Sequence, residues 1–498
     1  METATKLGFA LLLTTSAALG SLQACSSTSS TPTEAGTGGE GGPPVPASDA
    51  SVVIPCNDAI EAIYGDPGAL TGEPGTVLRC AADRVWTRAE LEDFSKKNDF
   101  AYTGKPFTSG ARVYRVSYRT ERGTTPPTPG YSSALVFVPD APVAGAPAIV
   151  AAHGTAGQAA RCAPSRDKFD QKANAFAAMI FPLVGAGYPV IAPDYAGYAN
   201  YGAPGNPPSG YAASADVGKG VLDGLRALRK MVPGAASDKN IVIGHSQGGH
   251  SALSALALSE SYGVPLSGVV TYAPLWFNQG TWGALLLLAE QYPIESNAFP
   301  IGVSVWYHYS HAELFDGQGK GVEVFAPSKR AAIKEFFDTA CVNETDRLKA
   351  LGTLSTDLYD PAFADSVKYA AAGITDCSAT DATCKKWQER YASSRPHLTG
   401  KTAKVPQLVL YGTKDATIPP DRAMCGFDRL KSDGAAYKVC LTPDATHSGV
   451  VGIRSGYVNE WIASVTLGTP APAPCEQDET AILADGGPVK CATPPPNN

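Results

Sequence analysis

The chain alternates short apolar runs with segments in which apolar residues recur at helical spacing. Runs typical of buried strands cover residues 112–118, 133–138, 148–152, 188–193, 240–243, 267–272, 404–412 and 437–441. Helical spacing covers residues 216–232, 251–258, 284–289, 331–337 and 449–463. We expect the first two strands to be antiparallel. The alternation of strands and helices predicts one large α/β core with a mostly parallel central sheet and helices on both faces.

The pattern changes between residues 275 and 400. This block is far too long for an ordinary connection, so we expect it to be structured. Its helical segments predict a helical cap insertion that divides the core into residues 51–274 and residues 401–467. Aromatic residues are candidates for lining a pocket beneath the cap: Trp276, Phe277, Trp306 and Tyr307. The alternative, favoured for any single one of them, is that they only pack the cap onto the core.

The hexapeptide GHSQGG at residues 244–249 stands between a predicted strand and a predicted helix. G-x-S-x-G in this context is typical of the nucleophile elbow of α/β-hydrolases. Glycines at 244 and 248 allow a sharp turn that holds Ser246 in a strained conformation with its hydroxyl exposed. The alternative is a glycine-rich turn between strand and helix without catalytic chemistry.

A serine in this turn needs an acid and a histidine, which follow it along the chain in that order. A predicted buried strand ends just before Asp415, and strand ends of this kind carry the sites of open α/β sheets. His447 is the one histidine of seven that lies beyond Asp415. The order therefore predicts Ser246, Asp415 and His447 as a catalytic triad. Asp444 and Asp421 remain alternative acids, and His447 could be an ordinary loop residue.

Each predicted role follows from the chemistry of the side chain. A serine hydroxyl is a weak nucleophile near neutral pH, so His447 must accept the proton of Ser246 as attack proceeds. Asp415 would hold the imidazole tautomer and stabilise the imidazolium that forms.

The oxyanion of the tetrahedral intermediate needs fixed donors, each worth about 3–4 kcal/mol of transition-state stabilisation. We expect one donor to be the backbone N–H of Gln247, directly after the nucleophile. The second should come from the loop after the strand at 148–152, where Gly154 and Thr155 are equal candidates. His153 precedes the serine and is interpreted as a packing residue that orders this loop.

Further motifs accompany the elbow. They are YRT at 118–120, HGTAG at 153–157, RCAPS at 161–165 and APDYAGY at 192–198. With them the chain resembles the secretory lipase family of α/β-hydrolases, which includes fungal lipase A-type enzymes and bacterial relatives, from about residue 112 to about residue 462. The resemblance implies an α/β-hydrolase fold with a helical cap and hydrolysis of carboxylic esters, often acylglycerols, without metal or cofactor. The N-terminus and the cysteine-rich ends depart from the fungal members, so a preference for fatty chains is not carried over.

Residues 1–24 are predicted to be a signal peptide of the lipoprotein type. Lys6 precedes an apolar stretch at 7–19 that is shorter than the ~20 residues of a membrane span. The stretch closes on LQAC, which resembles a bacterial lipobox with Cys25 as the acylated residue, and Ser26 resembles outer-membrane sorting. We therefore expect an exported lipoprotein anchored to outer-membrane lipid or displayed at the cell surface. Ordinary cleavage near residues 18–20, with release of a soluble secreted enzyme, is the alternative.

Residues 25–50 read as a flexible Ser, Thr, Gly and Pro linker that cannot build a core. Of 11 cysteines, assigning Cys25 to lipid leaves an even ten, which suggests disulfides in an exported chain. The predicted pairs are Cys56–Cys80, Cys162–Cys341, Cys377–Cys384, Cys425–Cys440 and Cys475–Cys491. The last pair would close a tail at residues 468–498. The cysteine spacing does not match a zinc site.

Composition narrows the function further. A formal net charge of −7, a pI near 5.6 and 17% charged residues give no basic surface for nucleic acid. The sequence therefore predicts a serine hydrolase that cleaves ester or lipid substrates through an acyl-enzyme. Two alternatives stand beside it: a non-enzymatic binding lipoprotein on the same fold, and a serine peptidase or amidase that uses the same triad.

Overall fold

The computed structural model describes residues 51–96, 102–169, 174–198, 206–234, 236–276, 283–371 and 375–484. Its centre is a nine-stranded sheet with the order β1-β2-β3-β5-β4-β6-β7-β8-β9. The strands are β1 Val77–Trp86, β2 Ala111–Glu121, β3 Pro129–Pro139, β4 Ala148–Ala152, β5 Val190–Pro193, β6 Asn240–His245, β7 Gly268–Tyr272, β8 Gln407–Gly412 and β9 Tyr437–Thr442. Along this order, the neighbouring strands from β1 to β5 pair antiparallel. The neighbours β5-β4-β6-β7-β8-β9 pair parallel. The predicted mostly parallel sheet, with antiparallel strands first, is confirmed.

Fourteen α-helices lie in the described part of the chain. They are α1 Ile60–Ile63, α2 Arg88–Lys96, α3 Ala175–Gly185, α4 Ser214–Met231, α5 Gln247–Leu258, α6 Gly283–Leu287, α7 Ile294–Asp316, α8 Arg330–Thr339, α9 Pro361–Ala371, α10 Ala382–Ser393, α11 Gly400–Lys404, α12 Pro420–Ser432, α13 Gly449–Thr466 and α14 Thr480–Ala484. Within the described ranges, no helix combines the length and the apolar character needed to span a membrane.

Helices cover both faces of the sheet because its parallel strands are apolar on both sides. In β6, Val242 belongs to the core formed with α4, α5 and α12, whereas Ile241 and Ile243 belong to the core formed with α3 and α13. This alternation follows from the two-residue period of a strand. The carboxyl ends of the parallel strands therefore meet at one edge, where the loops can place polar side chains together.

Helices α6 to α10 lie between β7 and β8, so the expected helical character of the insertion (residues 275–400) is confirmed in its described part, while its role as a cap stays a prediction. The insertion has its own core, in which Trp306 is fully buried and stacks on Phe336 with ring centroids 5.6 Å apart. Tyr307 is also fully buried, and Trp276 donates from Nε1 to the Tyr411 hydroxyl over 2.8 Å. Trp306 and Tyr307 thus pack the interior, Trp276 is only partly buried, and Phe277 lies outside the described residues.

Three predicted disulfides are present: Cys56–Cys80, Cys162–Cys341 and Cys377–Cys384. The predicted pairs Cys425–Cys440 and Cys475–Cys491 are wrong, because Cys440 is bonded to Cys475. The reason is the path of the tail: the N–H of Leu441 donates to the Gln477 carbonyl over 3.0 Å, which brings Cys475 against the buried Cys440 of β9. Cys491 lies outside the described residues, as do the predicted signal peptide, Cys25 and the linker.

Candidate active site

Ser246 occupies the turn between β6 and α5 with φ of +56° and ψ of −117°. L-residues rarely adopt a positive φ, so the surrounding structure must hold this backbone in place. Its N–H donates to the Tyr272 carbonyl over 2.9 Å, and its carbonyl accepts from the N–H of Leu275 over 2.9 Å. Both bonds come from the end of β7. The strained conformation that the sequence predicted is therefore fixed by the neighbouring strand.

The two glycines of the elbow are required because backbone carbonyl groups lie too close to leave room for a Cβ. A Cβ on Gly244 would lie 2.0 Å from the Gly248 carbonyl oxygen. A Cβ on Gly248 would lie 2.0 Å from the Ala152 carbonyl oxygen at the end of β4. Neither position can hold a larger residue without moving backbone, so these two glycines allow the sharp turn that presents Ser246.

Asp415 follows β8 and is 4% exposed. Its Oδ2 lies 2.7 Å from Nδ1 of His447. Its Oδ1 accepts from the backbone N–H groups of Thr417 and Ile418 over 2.9 and 2.8 Å. The two backbone donors aim the carboxylate, so that its second oxygen can accept the Nδ1 proton of the histidine.

The loop that carries His447 crosses the end of β8 at close range. A Cβ on Gly412 would lie 2.1 Å from the Ala445 carbonyl oxygen and 2.9 Å from that of Thr446. The N–H of Lys414 also donates to the Ala445 carbonyl over 3.0 Å. Glycine at 412 therefore lets the acid loop and the histidine loop approach within hydrogen-bonding distance.

The two alternative acids lie elsewhere. Asp444 is exposed, and its Oδ1 pairs with Nζ of Lys414 over 2.7 Å. Asp421 is exposed in the first turn of α12. Of the three candidate carboxylates, Asp415 is the one for which the structure records a bond to His447.

A contact that the sequence analysis missed joins the elbow to the histidine loop. Nε2 of His245, the residue before Ser246, lies 3.0 Å from the His447 carbonyl oxygen, and the two rings are 4.6 Å apart. Burial lowers the pKa of His245 to about 3, so the ring is neutral and Nε2–H is the donor. The serine and the histidine therefore lie at the same edge of the sheet.

The predicted oxyanion donors flank the serine. Gln247 is buried and is the first residue of α5, and the first backbone N–H groups of a helix can bind a negative charge. On the other side, a Cβ on Gly154 would lie 3.4 Å from Cβ of Ser246. The hydroxyl of Thr155 lies 2.6 Å from that of Tyr211. The loop after β4 thus passes beside Ser246, and its role as a source of oxyanion donors stays a prediction.

His153 is buried, and its recorded hydrogen bonds go to neither Ser246, Asp415 nor His447. Its ring nitrogens lie near the carbonyl oxygens of Gly154 and Asp194, at 2.6 and 3.2 Å, and its ring packs on Tyr195 at 4.4 Å. Burial lowers its pKa, and these contacts hold the ring against the loop that follows β4. In the described ranges no cluster of three or more His, Cys, Asp or Glu residues could hold a metal ion.

A strained serine between strand and helix, followed along the chain by an aspartate and a histidine at the carboxyl edge of the sheet, is the arrangement of the α/β-hydrolase class. The sequence profile of the alpha/beta hydrolase family matches residues 149–452. The chain belongs to this family.

Solved structures show the same fold. Candida antarctica lipase A in its closed state has a TM-score of 0.59 at 16% identity and covers 89% of this chain and 92% of its own. The ligand-bound rice cell wall degrading esterase LipA from Xanthomonas oryzae has a TM-score of 0.55 at 16% identity, covering 80% and 97%. A protein from Legionella pneumophila has a TM-score of 0.61 at 18% identity, covering 78% and 98%. No curated protein matches the chain.

Proposed function

We propose that the protein is a serine hydrolase that cleaves carboxylic esters through Ser246, His447 and Asp415. The observation that carries the proposal is the 2.7 Å bond between Asp415 and His447, formed beside a serine whose backbone is held at positive φ. A binding module has no need for either feature. The structural neighbours named as a lipase and an esterase support esters as the substrate class.

In this proposal, Oγ of Ser246 attacks the acyl carbon while Nε2 of His447 takes its proton. Asp415 keeps the other proton on Nδ1 and stabilises the imidazolium. The N–H groups of Gln247 and of Gly154 or Thr155 bind the oxyanion. The imidazolium then gives its proton to the departing alcohol, and water activated by the same imidazole releases the acid from the acyl-enzyme.

We also propose that the enzyme is exported and held on outer-membrane lipid through acylated Cys25, with residues 25–50 as the tether. Four disulfides join cysteines of the described residues, and such bonds persist in oxidising compartments. Expression of the full chain with a labelled fatty acid tests the anchor. We expect label on the wild type and a soluble, unlabelled Cys25→Ala variant; an unlabelled wild type would contradict the anchor and leave the ester hydrolase proposal standing.

A substrate series tests the reaction itself. Purified protein is assayed on p-nitrophenyl esters from acetyl to palmitoyl and on a peptide anilide, with Ser246→Ala as control. We expect ester hydrolysis that disappears in the variant. An optimum at short acyl chains would identify an esterase and one at long chains a lipase. Cleavage of the anilide alone would replace the proposal with a peptidase or amidase.

A further inference from the structure

Three buried tyrosine hydroxyls hold alternate residues of the loop that follows β4. They are Tyr195 on the His153 carbonyl, Tyr211 on the Thr155 hydroxyl and Tyr198 on the Gly157 carbonyl. All three tyrosines are at most 1% exposed. Two of these bonds reach backbone carbonyls, whereas the third reaches a side-chain hydroxyl. That third bond holds the Thr155 hydroxyl, a group that can itself donate a hydrogen bond to a substrate.

The chemistry of the pair sets the direction of the bond between Tyr211 and Thr155. A phenol is a stronger acid than an aliphatic alcohol, so the phenol is the better donor. Burial raises the pKa of Tyr211 well above its ordinary value, which keeps the phenol protonated. With the tyrosine donating, the proton of the Thr155 hydroxyl is available for another acceptor. Thr155 is only partly buried and follows Gly154, which lies against Ser246.

Tyr211 is held in turn by the cap insertion. Its backbone N–H donates to Oγ of Ser310 over 2.9 Å, and its carbonyl lies 3.0 Å from Nε2 of His311. Both partners belong to α7. The next residue, Ala212, has φ of +50°, a conformation that persists where surrounding contacts fix it. Helix α7 therefore fixes both backbone groups of the tyrosine that contacts Thr155.

We propose that Tyr211 is a positioning residue that orients the hydroxyl of Thr155 toward the oxyanion, so that Thr155 is a side-chain donor, and that α7 links the cap insertion to this donor. The proposal rests on the ester hydrolase function argued above. It assigns a role to a contact that sequence order could not indicate, since Tyr211 is far from Thr155 along the chain. The charge that develops on the acyl oxygen would meet this hydroxyl beside the N–H of Gln247.

A double-mutant cycle with Thr155→Val and Tyr211→Phe tests the link, with a soluble acyl ester as substrate. Loss of one oxyanion donor lowers kcat by about 10²-fold, so we expect Thr155→Val to approach that loss with little change in KM. We expect Tyr211→Phe to lower kcat roughly tenfold alone and to add nothing on the Thr155→Val background. Thr155→Ser keeps the hydroxyl and should retain most of kcat.

Tyr198→Phe is the matched control, because it removes a buried hydroxyl that binds the same loop at Gly157 without touching Thr155. Its effect should add to that of Thr155→Val. Ser310→Ala is a second probe that leaves both side chains of the pair intact; it should lower kcat a few-fold at constant KM. Thermal unfolding confirms that each variant is folded.

Three results would overturn the inference. The first two are wild-type kcat in a folded Tyr211→Phe variant, and losses from Tyr211→Phe and Thr155→Val that simply add. Full kcat in Thr155→Val would exclude the side-chain donor directly. A folded wild type that hydrolyses no ester would instead overturn the proposed function, so the two failures are distinguishable.

Discussion

Nδ1 of His447 lies 2.7 Å from Oδ2 of Asp415, whose other oxygen is bound by two backbone N–H groups. Because an ionised carboxylate only accepts hydrogen bonds, this arrangement places the imidazole proton on Nδ1. Nε2 is left unprotonated and able to act as a base. The tautomer of His447 is thus set by the turn that follows β8.

Replacement of Asp415 by asparagine should lower kcat by roughly 10⁴-fold, because an amide that donates to Nδ1 selects the wrong tautomer. Steady-state hydrolysis of a soluble ester measures the loss. Asp444→Asn is the matched control: it changes an exposed carboxylate three residues before His447 and should leave kcat within about twofold, as expected for a surface substitution. Loss of activity in Asp444→Asn with a normal Asp415→Asn enzyme would assign the acid role to Asp444.

Replacement of Gly412 by alanine should force the acid loop and the histidine loop apart, since its Cβ would lie 2.1 Å from the Ala445 carbonyl oxygen. We expect a loss of about 3 kcal/mol in the free energy of unfolding, near the upper end of overpacking effects, together with a lower kcat. Denaturant titration and ester hydrolysis measure the two effects. Gly65→Ala, whose Cβ would have no contact closer than 3.7 Å, is the control and should change neither. Wild-type kcat in Gly412→Ala would show that the close approach is not needed.

The disulfide Cys162–Cys341 joins the loop beyond Thr155 to the cap insertion across 179 residues, whereas Cys377–Cys384 spans 7. Each disulfide can be removed by changing both of its cysteines to serine. Because the longer link restricts the unfolded chain more, removing Cys162–Cys341 should lower the free energy of unfolding by about 3 kcal/mol more than removing Cys377–Cys384. Denaturant midpoints of the two double variants at neutral pH measure the difference. Equal midpoints would show that chain entropy does not dominate the contribution of the longer link.

Buried histidines predict a loss of stability in mild acid. Burial lowers the pKa of His245 and His308 to about 3 and that of His250 to about 4, from an ordinary value of 6.5. Below pH 6.5 these histidines take up protons in the unfolded chain but not in the folded chain. The free energy of unfolding therefore decreases as the pH is lowered from 6.5 to about 4. Each histidine contributes up to about 1.4 kcal/mol per pH unit across this window. Asp194 and Asp223, whose pKa values burial raises, act in the opposite direction.

Comparing the wild type with a single variant separates the contribution of one histidine from those of the other histidines and of Asp194 and Asp223. The free energy of unfolding is measured by denaturant titration from pH 7 to pH 4.5 for the wild type and for His250→Gln. The wild type should lose stability more steeply, by about 1.4 kcal/mol per pH unit. Parallel pH dependences would mean that His250 does not stay neutral in the folded protein.

The parallel strands and the loop positions of Ser246, Asp415 and His447 were predictable because they depend on local order. The elbow has glycines that its backbone geometry demands, and Asp415 comes three residues after the end of a mostly apolar run. Helix α5 begins at Gln247, four residues before the predicted helical segment, because the elbow itself supplies its first turn. Each of these features is determined by residues that are close together in the sequence.

The unpredicted features depend on contacts between distant parts of the chain. Helix α7 was not predicted, since its residues from Ile301 to Leu314 are buried on all sides and show no amphipathic period. Strand β1 is half-buried and interrupted by charged residues, which hides its alternation. The bond of His245 to the His447 carbonyl and the pairing of Cys440 with Cys475 both arise from folded loop paths that spacing does not specify.

The central claim is that Ser246 is a nucleophile activated by its neighbours, and labelling by a fluorophosphonate tests it most directly. Intact mass measures the adduct on the folded wild type, on Ser246→Ala and on Asp415→Asn. We expect stoichiometric labelling of the wild type, none of Ser246→Ala and much slower labelling of Asp415→Asn. An unlabelled wild type, or equal labelling of wild type and Ser246→Ala, would contradict the account.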